Sequence, residues 1–179
     1  MKQLLQRFFD VAPAEIRAAF IETLGRIAHD AKGGLRDDQV DRMRDLWAKR
    51  FTHLTQVKDT PNQLGVELAP FAWWYASGRL GDDWAIDQLG MLLRAGGTLN
   101  PGHVVLERLA VDAPNAPAAA LRVLLDLVRH PPDEWLFVAV TEELRAIIRA
   151  GLAGDATAQD LARRAVDELA ARGVEVAAG

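Results

Sequence analysis

The chain has 179 residues, of which 50% are hydrophobic and 26% are charged, and its formal net charge is −4. This composition is ordinary for a globular protein, and the length predicts a single domain over residues 1–179. The absence of cysteine excludes disulfides, thiolate metal sites and cysteine nucleophiles.

Charge and hydropathy along the chain bear on location and partners. No window approaches the ~20 apolar residues of a membrane span, and the start has no long apolar stretch. We therefore expect no signal peptide, no membrane contact and a cytoplasmic location. Residues 1–60 hold 11 basic and 9 acidic side chains, whereas residues 61–179 hold 10 and 16. The net-acidic second part disfavours nucleic acid as the main partner.

Residues 1–60 predict the N-terminal helices of the domain. One helix is indicated by apolar residues at spacings of four, four and three, Ile16, Phe20, Leu24 and Ile27. Such a stripe is the face that a helix turns towards the core. A second stripe consists of Val40, Met43, Trp47, Phe51 and Leu54. The basic residues off that stripe are predicted to be solvated: Arg42, Arg44, Lys49 and Arg50.

Residues 61–179 are predicted to form the repeat-like body of the domain, and they begin with an aromatic segment. Leu64, Leu68, Phe71 and Tyr75 lie at helical spacing, but Pro70 inside them predicts a kink or a helix restart. Residues 71–75 hold four aromatic side chains, and successive positions on a helix diverge by ~100°. One core face cannot take them all. We therefore place Trp73 and Trp74, with the nearby Arg79, at a helix seam or a partner contact.

A tryptophan-led pattern then occurs twice. Asp82-Asp83-Trp84 leads through three leucines to Arg94-Ala95-Gly96, and Asp133-Glu134-Trp135 leads through Leu144, Ile147 and Ile148 to Arg149-Ala150-Gly151. The second copy is four residues longer, about one helical turn, which preserves the facing side. The pattern predicts stacked helical units, in which Trp47, Trp84 and Trp135 pack between helices.

Breaks rich in Gly, Pro, Asn and Asp divide the rest of the chain into further helices. One is predicted after Asn100-Pro101, another after Asn115, and the last runs from about Thr157 to Arg172. No stretch shows convincing strand alternation. The sequence therefore predicts an all-α fold of about nine helices, as an α-solenoid or a repeat-like bundle.

Signals for enzymatic chemistry are weak. Ser77 is the only serine, and it lies in a turn rather than in a nucleophile elbow. No glycine-rich phosphate loop occurs. His103 and Glu107 share one helix face, but two ligands are too few for zinc. We therefore expect no enzyme activity, no catalytic residue, no cofactor and no metal.

Four short runs within residues 64–175 resemble a helical-repeat region of other proteins. The runs Phe71–Gly78, Val105–Ala110, Ala146–Gly151 and Ala170–Gly173 are similar to a HEAT-like helical-repeat region near the C-terminus of some large, mostly uncharacterised bacterial proteins. The resemblance implies a protein-interaction role within a multidomain assembly. It supplies packing motifs and no catalytic residue.

These observations lead to a functional expectation. We expect a non-enzymatic interaction or scaffolding module that binds a protein partner through Trp73, Trp74 and Arg79. One alternative is a self-associating structural domain, which forms homo-oligomers through the same aromatic surface. The other is a helical domain that binds nucleic acid, or that binds a ligand in a polar pocket between its helices.

Overall fold

The computed structural model describes residues 2–56, 60–133 and 135–176, and the side chains of residues 2–6 and 60–63 lie outside this description. Glu134, in the second tryptophan-led segment, also lies outside it. Over the described ranges the fold is all-α and contains no strand, as the sequence predicts. The eleven helices in these ranges are α1 (Lys2–Val11), α2 (Ala14–Asp30), α3 (Asp37–Gln56), α4 (Thr60–Glu67), α5 (Phe71–Ala76), α6 (Asp82–Arg94), α7 (Gly102–Asp112), α8 (Pro117–Arg129), α9 (Leu136–Ala139), α10 (Thr141–Leu152) and α11 (Ala156–Ala170).

Several helix boundaries follow from local chemistry. The break at Pro70 is confirmed, because α4 ends at Glu67 and α5 begins at Phe71. Asp155 caps α11 by accepting a hydrogen bond from the Ala158 amide at 2.8 Å, which satisfies one of the free donors of the first turn. An unexpected break lies at Val140, whose φ of −121° and ψ of 36° separate α9 from α10. The single tryptophan-led helix predicted there is therefore two helices.

The helices pack in chain order. In one row α2 packs on α5, α5 on α7, and α7 on α10. In a second row α6 packs on α8, and α8 on α11. The helix α3 joins this arrangement through Trp47, whose ring stacks on Phe71 of α5 at a centroid distance of 4.0 Å. Trp47 Nε1 also donates to Gln88 Oε1 of α6 at 2.9 Å.

The core face of α2 differs from the sequence prediction. The buried residues of α2 are Ile21, Gly25 and Ala28, which lie beside the predicted stripe. Ile16 and Ile27, the two ends of that stripe, are 53% and 58% exposed. Gly25 explains why this face of α2 is the buried one. Because glycine has no side chain, α2 can lie close against another helix at this position. A Cβ at that position would lie 2.5 Å from Trp74 Cδ1 of α5.

A buried ionic cluster joins α2, α3 and α4, and it corrects a second prediction. Arg50, predicted to be solvated, is buried and bonds both carboxylate oxygens of Glu67. Arg17 Nε donates to Glu67 Oε2 at 2.7 Å. Two guanidinium groups thereby compensate the charge of a carboxylate that is 0% exposed, as a buried charge requires. Arg44 is likewise engaged, because its Nε donates to the Leu80 carbonyl at 2.9 Å.

Candidate interaction surface

The three predicted packing tryptophans have different environments. Trp47 is buried in the core. Trp84 is partly buried and packs against the core, and the Arg44 guanidinium lies 5.3 Å from the Trp84 ring centroid. The prediction for Trp135 is wrong, because this residue is 75% exposed. Trp84 lies inside helix α6, whereas Trp135 precedes the four-residue helix α9. The break at Val140 therefore removes Trp135 from the helix that carries Leu144.

The predicted contact residues lie together beside α2, but not all on the surface. Trp74 is only 1% exposed, so its side chain is a core group and cannot form the predicted surface contact. Trp73 is half-buried, with the Arg26 guanidinium 4.3 Å from its ring centroid and the His29 ring edge-on at 5.3 Å. Arg79 is exposed, and its Nη2 donates to the Ala31 carbonyl at 3.3 Å. Trp73 and Arg79 thus flank the C-terminal end of α2.

The segment around Trp135 exposes two apolar side chains and buries the two between them. Val138 is 60% exposed, and its amide donates to the Trp135 carbonyl at 3.1 Å. This i, i+3 relationship places the two side chains on one side of the turn. Leu136 and Phe137 between them are buried. We call Trp135 and Val138 the α9 surface.

Two local contacts lie at the base of the α9 surface. Asp133 Oδ1 accepts a hydrogen bond from the Trp135 amide at 2.9 Å. Gly102 of α7 lies directly beneath, because a Cβ there would lie 2.8 Å from Leu136 Cδ2 and 2.9 Å from Pro132 Cγ. The exposed tryptophan therefore lies beside residues that pack closely against α7.

A partly buried polar network lies between α5, α6 and α7. The Tyr75 hydroxyl donates to Asp112 Oδ2 at 2.7 Å, and Arg108 bonds both oxygens of Asp112, at 3.1 and 2.8 Å. Arg108 Nη2 also lies 2.7 Å from Asp82 Oδ1. Burial, followed by the hydrogen bond to Asp112 and its charge, raises the pKa of Tyr75 far above its ordinary value. Tyr75 is therefore a neutral donor that holds Asp112 in place.

This network borders a small cleft. The cleft has a volume of about 240 Å³, and its lining includes Asp82, Asp83, Asp112 and Asn115. Small-molecule sites usually have ~300–1,000 Å³ and mostly apolar walls. Asp82 and Asp112 already bond Arg108. The arrangement is that of a structural network at a helix junction, and sequence reasoning missed it although the spacing of Arg108 and Asp112 is a typical ion-pair signal.

Two other kinds of site are absent from the described part of the chain. No three or more His, Asp or Glu side chains there come close enough together to hold a metal ion. None of the helices described has both the length and the apolar character needed to cross a membrane. Comparisons with protein families, with curated proteins and with solved structures found no match to this chain.

Proposed function

We propose that this chain is a non-enzymatic protein-interaction module that binds its partner through the α9 surface. The exposed indole of Trp135 is the observation that carries this proposal, since 75% exposure of so large an apolar group is costly in water. Tryptophan is among the residues most enriched at interface hot spots. Val138 beside it widens the apolar contact.

The architecture that we propose for this module is a HEAT-like stack of helix pairs. The pairs are α5 with α6, α7 with α8, and α10 with α11, and each pair packs on the next one along the chain. First helices pack on first helices and second on second, as in the rows described above. Repeat proteins share this neighbour-to-neighbour packing and use their extended surfaces for binding. A place in a larger bacterial assembly fits such a role.

Two of the three contact residues predicted from the sequence form a second, smaller part of the proposal. Trp73 and Arg79 remain candidates for a second partner contact, because both reach the surface near the end of α2. Trp74 is not part of this contact, since its indole is in the core. The helical ligand-binding alternative is weaker, because the cleft beside Asp112 is small and two of its three acids, Asp82 and Asp112, are engaged by Arg108.

Affinity capture with a surface-matched control tests the proposal. The tagged chain and its Trp135→Ala and Val111→Ala variants are incubated with lysate, with and without nuclease, and captured proteins are identified by mass spectrometry. Val111 is the control because it is apolar and 64% exposed on α7, away from the α9 surface in sequence. We expect a nuclease-resistant protein that Val111→Ala retains and Trp135→Ala loses.

Two results would contradict the proposal. Capture of the same proteins by Trp135→Ala and by the unmodified chain would show that the α9 surface binds none of them. Loss of all captured proteins on nuclease treatment would instead favour nucleic-acid binding. Circular dichroism of each variant confirms that a lost partner does not reflect a lost fold.

A further inference from the structure

Helix α2 has a second apolar stripe that the rest of the described chain leaves largely uncovered. Its buried face, with Ile21, Gly25 and Ala28, packs against the body of the fold. The outer stripe comprises three apolar residues, Ile16, Phe20 and Ile27, and the polar Thr23, whose hydroxyl donates to the Ala19 carbonyl at 2.8 Å. Phe20 is half-buried, because the Phe8 ring of α1 lies at a centroid distance of 5.3 Å. The isoleucines at the two ends are more than half exposed.

The spacing of this outer stripe is that of a helix–helix seam. Its four residues follow one another at intervals of four, three and four, the a/d pattern of a coiled coil. Ile16 and Ile27 are eleven residues apart, which corresponds to roughly 16 Å along a helix. Ala19, on one flank of the stripe, is exposed and small. A second helix can therefore approach this flank closely.

The stripe is complementary to itself. In an antiparallel pair of α2 helices, Ile16 of one copy lies opposite Ile27 of the other, and Phe20 opposite Thr23. Each large apolar end residue then meets its counterpart. A two-fold axis generates both contacts at once, as an isologous dimer interface requires.

Charge on the flank favours the same antiparallel arrangement. Glu15 and Arg26 lie on one flank of the stripe, an acid near its N-terminal end and a base near its C-terminal end. An antiparallel pair brings Glu15 of one copy close to Arg26 of the other, whereas a parallel pair places like charges together. Arg26 Nη2 is already held 2.8 Å from Glu22 Oε1. The guanidinium also lies 4.3 Å from the Trp73 ring centroid, so in the dimer it would exchange these contacts for Glu15 of the second copy.

We propose that two copies of this chain associate through the outer stripe of α2, in an antiparallel arrangement with Glu15 facing Arg26 of the second copy. This interface contains neither Trp135 nor Val138. It goes beyond the proposed partner binding and does not depend on it. The dimer leaves the α9 surface of each copy out of the contact, so a dimeric module presents two such surfaces.

Sedimentation at several concentrations tests the dimer. We expect the mass to rise from the 19.6 kDa of one chain towards twice that value between about 1 µM and 1 mM. Ile27→Glu places a charge in the seam and should weaken association by about tenfold or more. Trp135→Ala should leave the dimerisation constant unchanged, so failure here is distinguishable from failure of the proposed partner binding.

A charge exchange tests the arrangement without altering an apolar residue. Glu15→Arg alone and Arg26→Glu alone should each weaken the dimer several-fold, whereas the double variant should restore it, because the facing charges are again opposite. Both positions in this test, Glu15 and Arg26, are exposed. A chain that stays monomeric up to about 1 mM overturns the proposal. A dimer that survives Ile27→Glu, or whose double charge variant is weaker than both single variants, also overturns it.

Discussion

The indole Nε1 of Trp74 donates a hydrogen bond to the main-chain oxygen of Ile21 across 2.7 Å. This bond ties the aromatic helix α5 to the middle of α2. It is possible because Gly25, one turn beyond Ile21, leaves space that the Trp74 ring fills. The contact decides which face of α2 is buried.

Gly25→Ala is therefore expected to destabilise the protein. The added Cβ would lie 2.5 Å from Trp74 Cδ1 and 2.7 Å from Trp73 Cβ, and such overpacking costs about 1–3 kcal/mol. Alanine's better helix propensity offsets part of this cost. Urea denaturation measures the difference. Gly33→Ala is the control, because no heavy atom lies within 4 Å of a Cβ there. Equal stabilities of the two variants would show that the α2–α5 contact is not close.

Glu67→Gln should weaken the junction of α2, α3 and α4. The change leaves the buried guanidinium of Arg50 without its opposite charge, and breaking a buried ion pair costs about 3–5 kcal/mol. Glu107→Gln, at an exposed position on α7, should stay within about 0.5 kcal/mol of the unmodified chain. Chemical denaturation compares the two. A loss below about 1 kcal/mol for Glu67→Gln would show that water enters the cluster.

Tyr75 should resist ionisation in the folded protein. Its burial, with the hydrogen bond to Asp112 and that group's charge, raises its pKa above the ordinary 10.0. Since Tyr75 is the only tyrosine, tyrosinate absorbance reports on it alone. We expect no tyrosinate signal from the folded protein as the pH passes 10, and a midpoint near 10 in denaturant. A midpoint near 10 without denaturant would contradict the burial of the hydroxyl.

The same raised pKa has a defined effect on stability. A folded pKa above the unfolded one means that the contribution of Tyr75 is complete below about pH 10 and declines as the pH rises above it. Tyr75→Phe removes this group and its bond to Asp112, with a cost of about 1–2 kcal/mol at neutral pH. The difference in unfolding free energy between the two proteins should shrink above pH 10. A difference independent of pH would argue against the link.

Trp135→Ala should leave stability almost unchanged, within about 0.5 kcal/mol, because the side chain is 75% exposed. Trp47→Ala should cost about 3–5 kcal/mol, since that ring is buried against Phe71. Denaturation followed by circular dichroism avoids the change in tryptophan fluorescence itself. A similar loss in both variants would mean that Trp135 packs against the fold after all.

The sequence by itself determined the helical class and several of the breaks. Pro70 ends one helix because it lacks an amide proton and clashes with the preceding turn, and this effect is local. The last helix, predicted from about Thr157 to Arg172, is observed over Ala156–Ala170, and the side chain of Asp155 caps its first turn. The sequence did not reveal the additional break at Val140, which has no proline or glycine to mark it.

Only the tertiary structure decided which apolar side chains are buried. The stripe of Ile16 and Ile27 has the periodicity of a core face, yet the face with Gly25 packs inwards because it fits the Trp74 ring. The sequence predicts a surface position for Arg50. The fold instead brings Glu67, seventeen positions later, into contact with it, so that the guanidinium can be buried. Periodicity reports the chemistry of one helix face, whereas burial depends on the shape and charge of whatever packs against it. The sequence therefore predicted an all-α fold, while the exposed Trp135 could be recognised only from the structure.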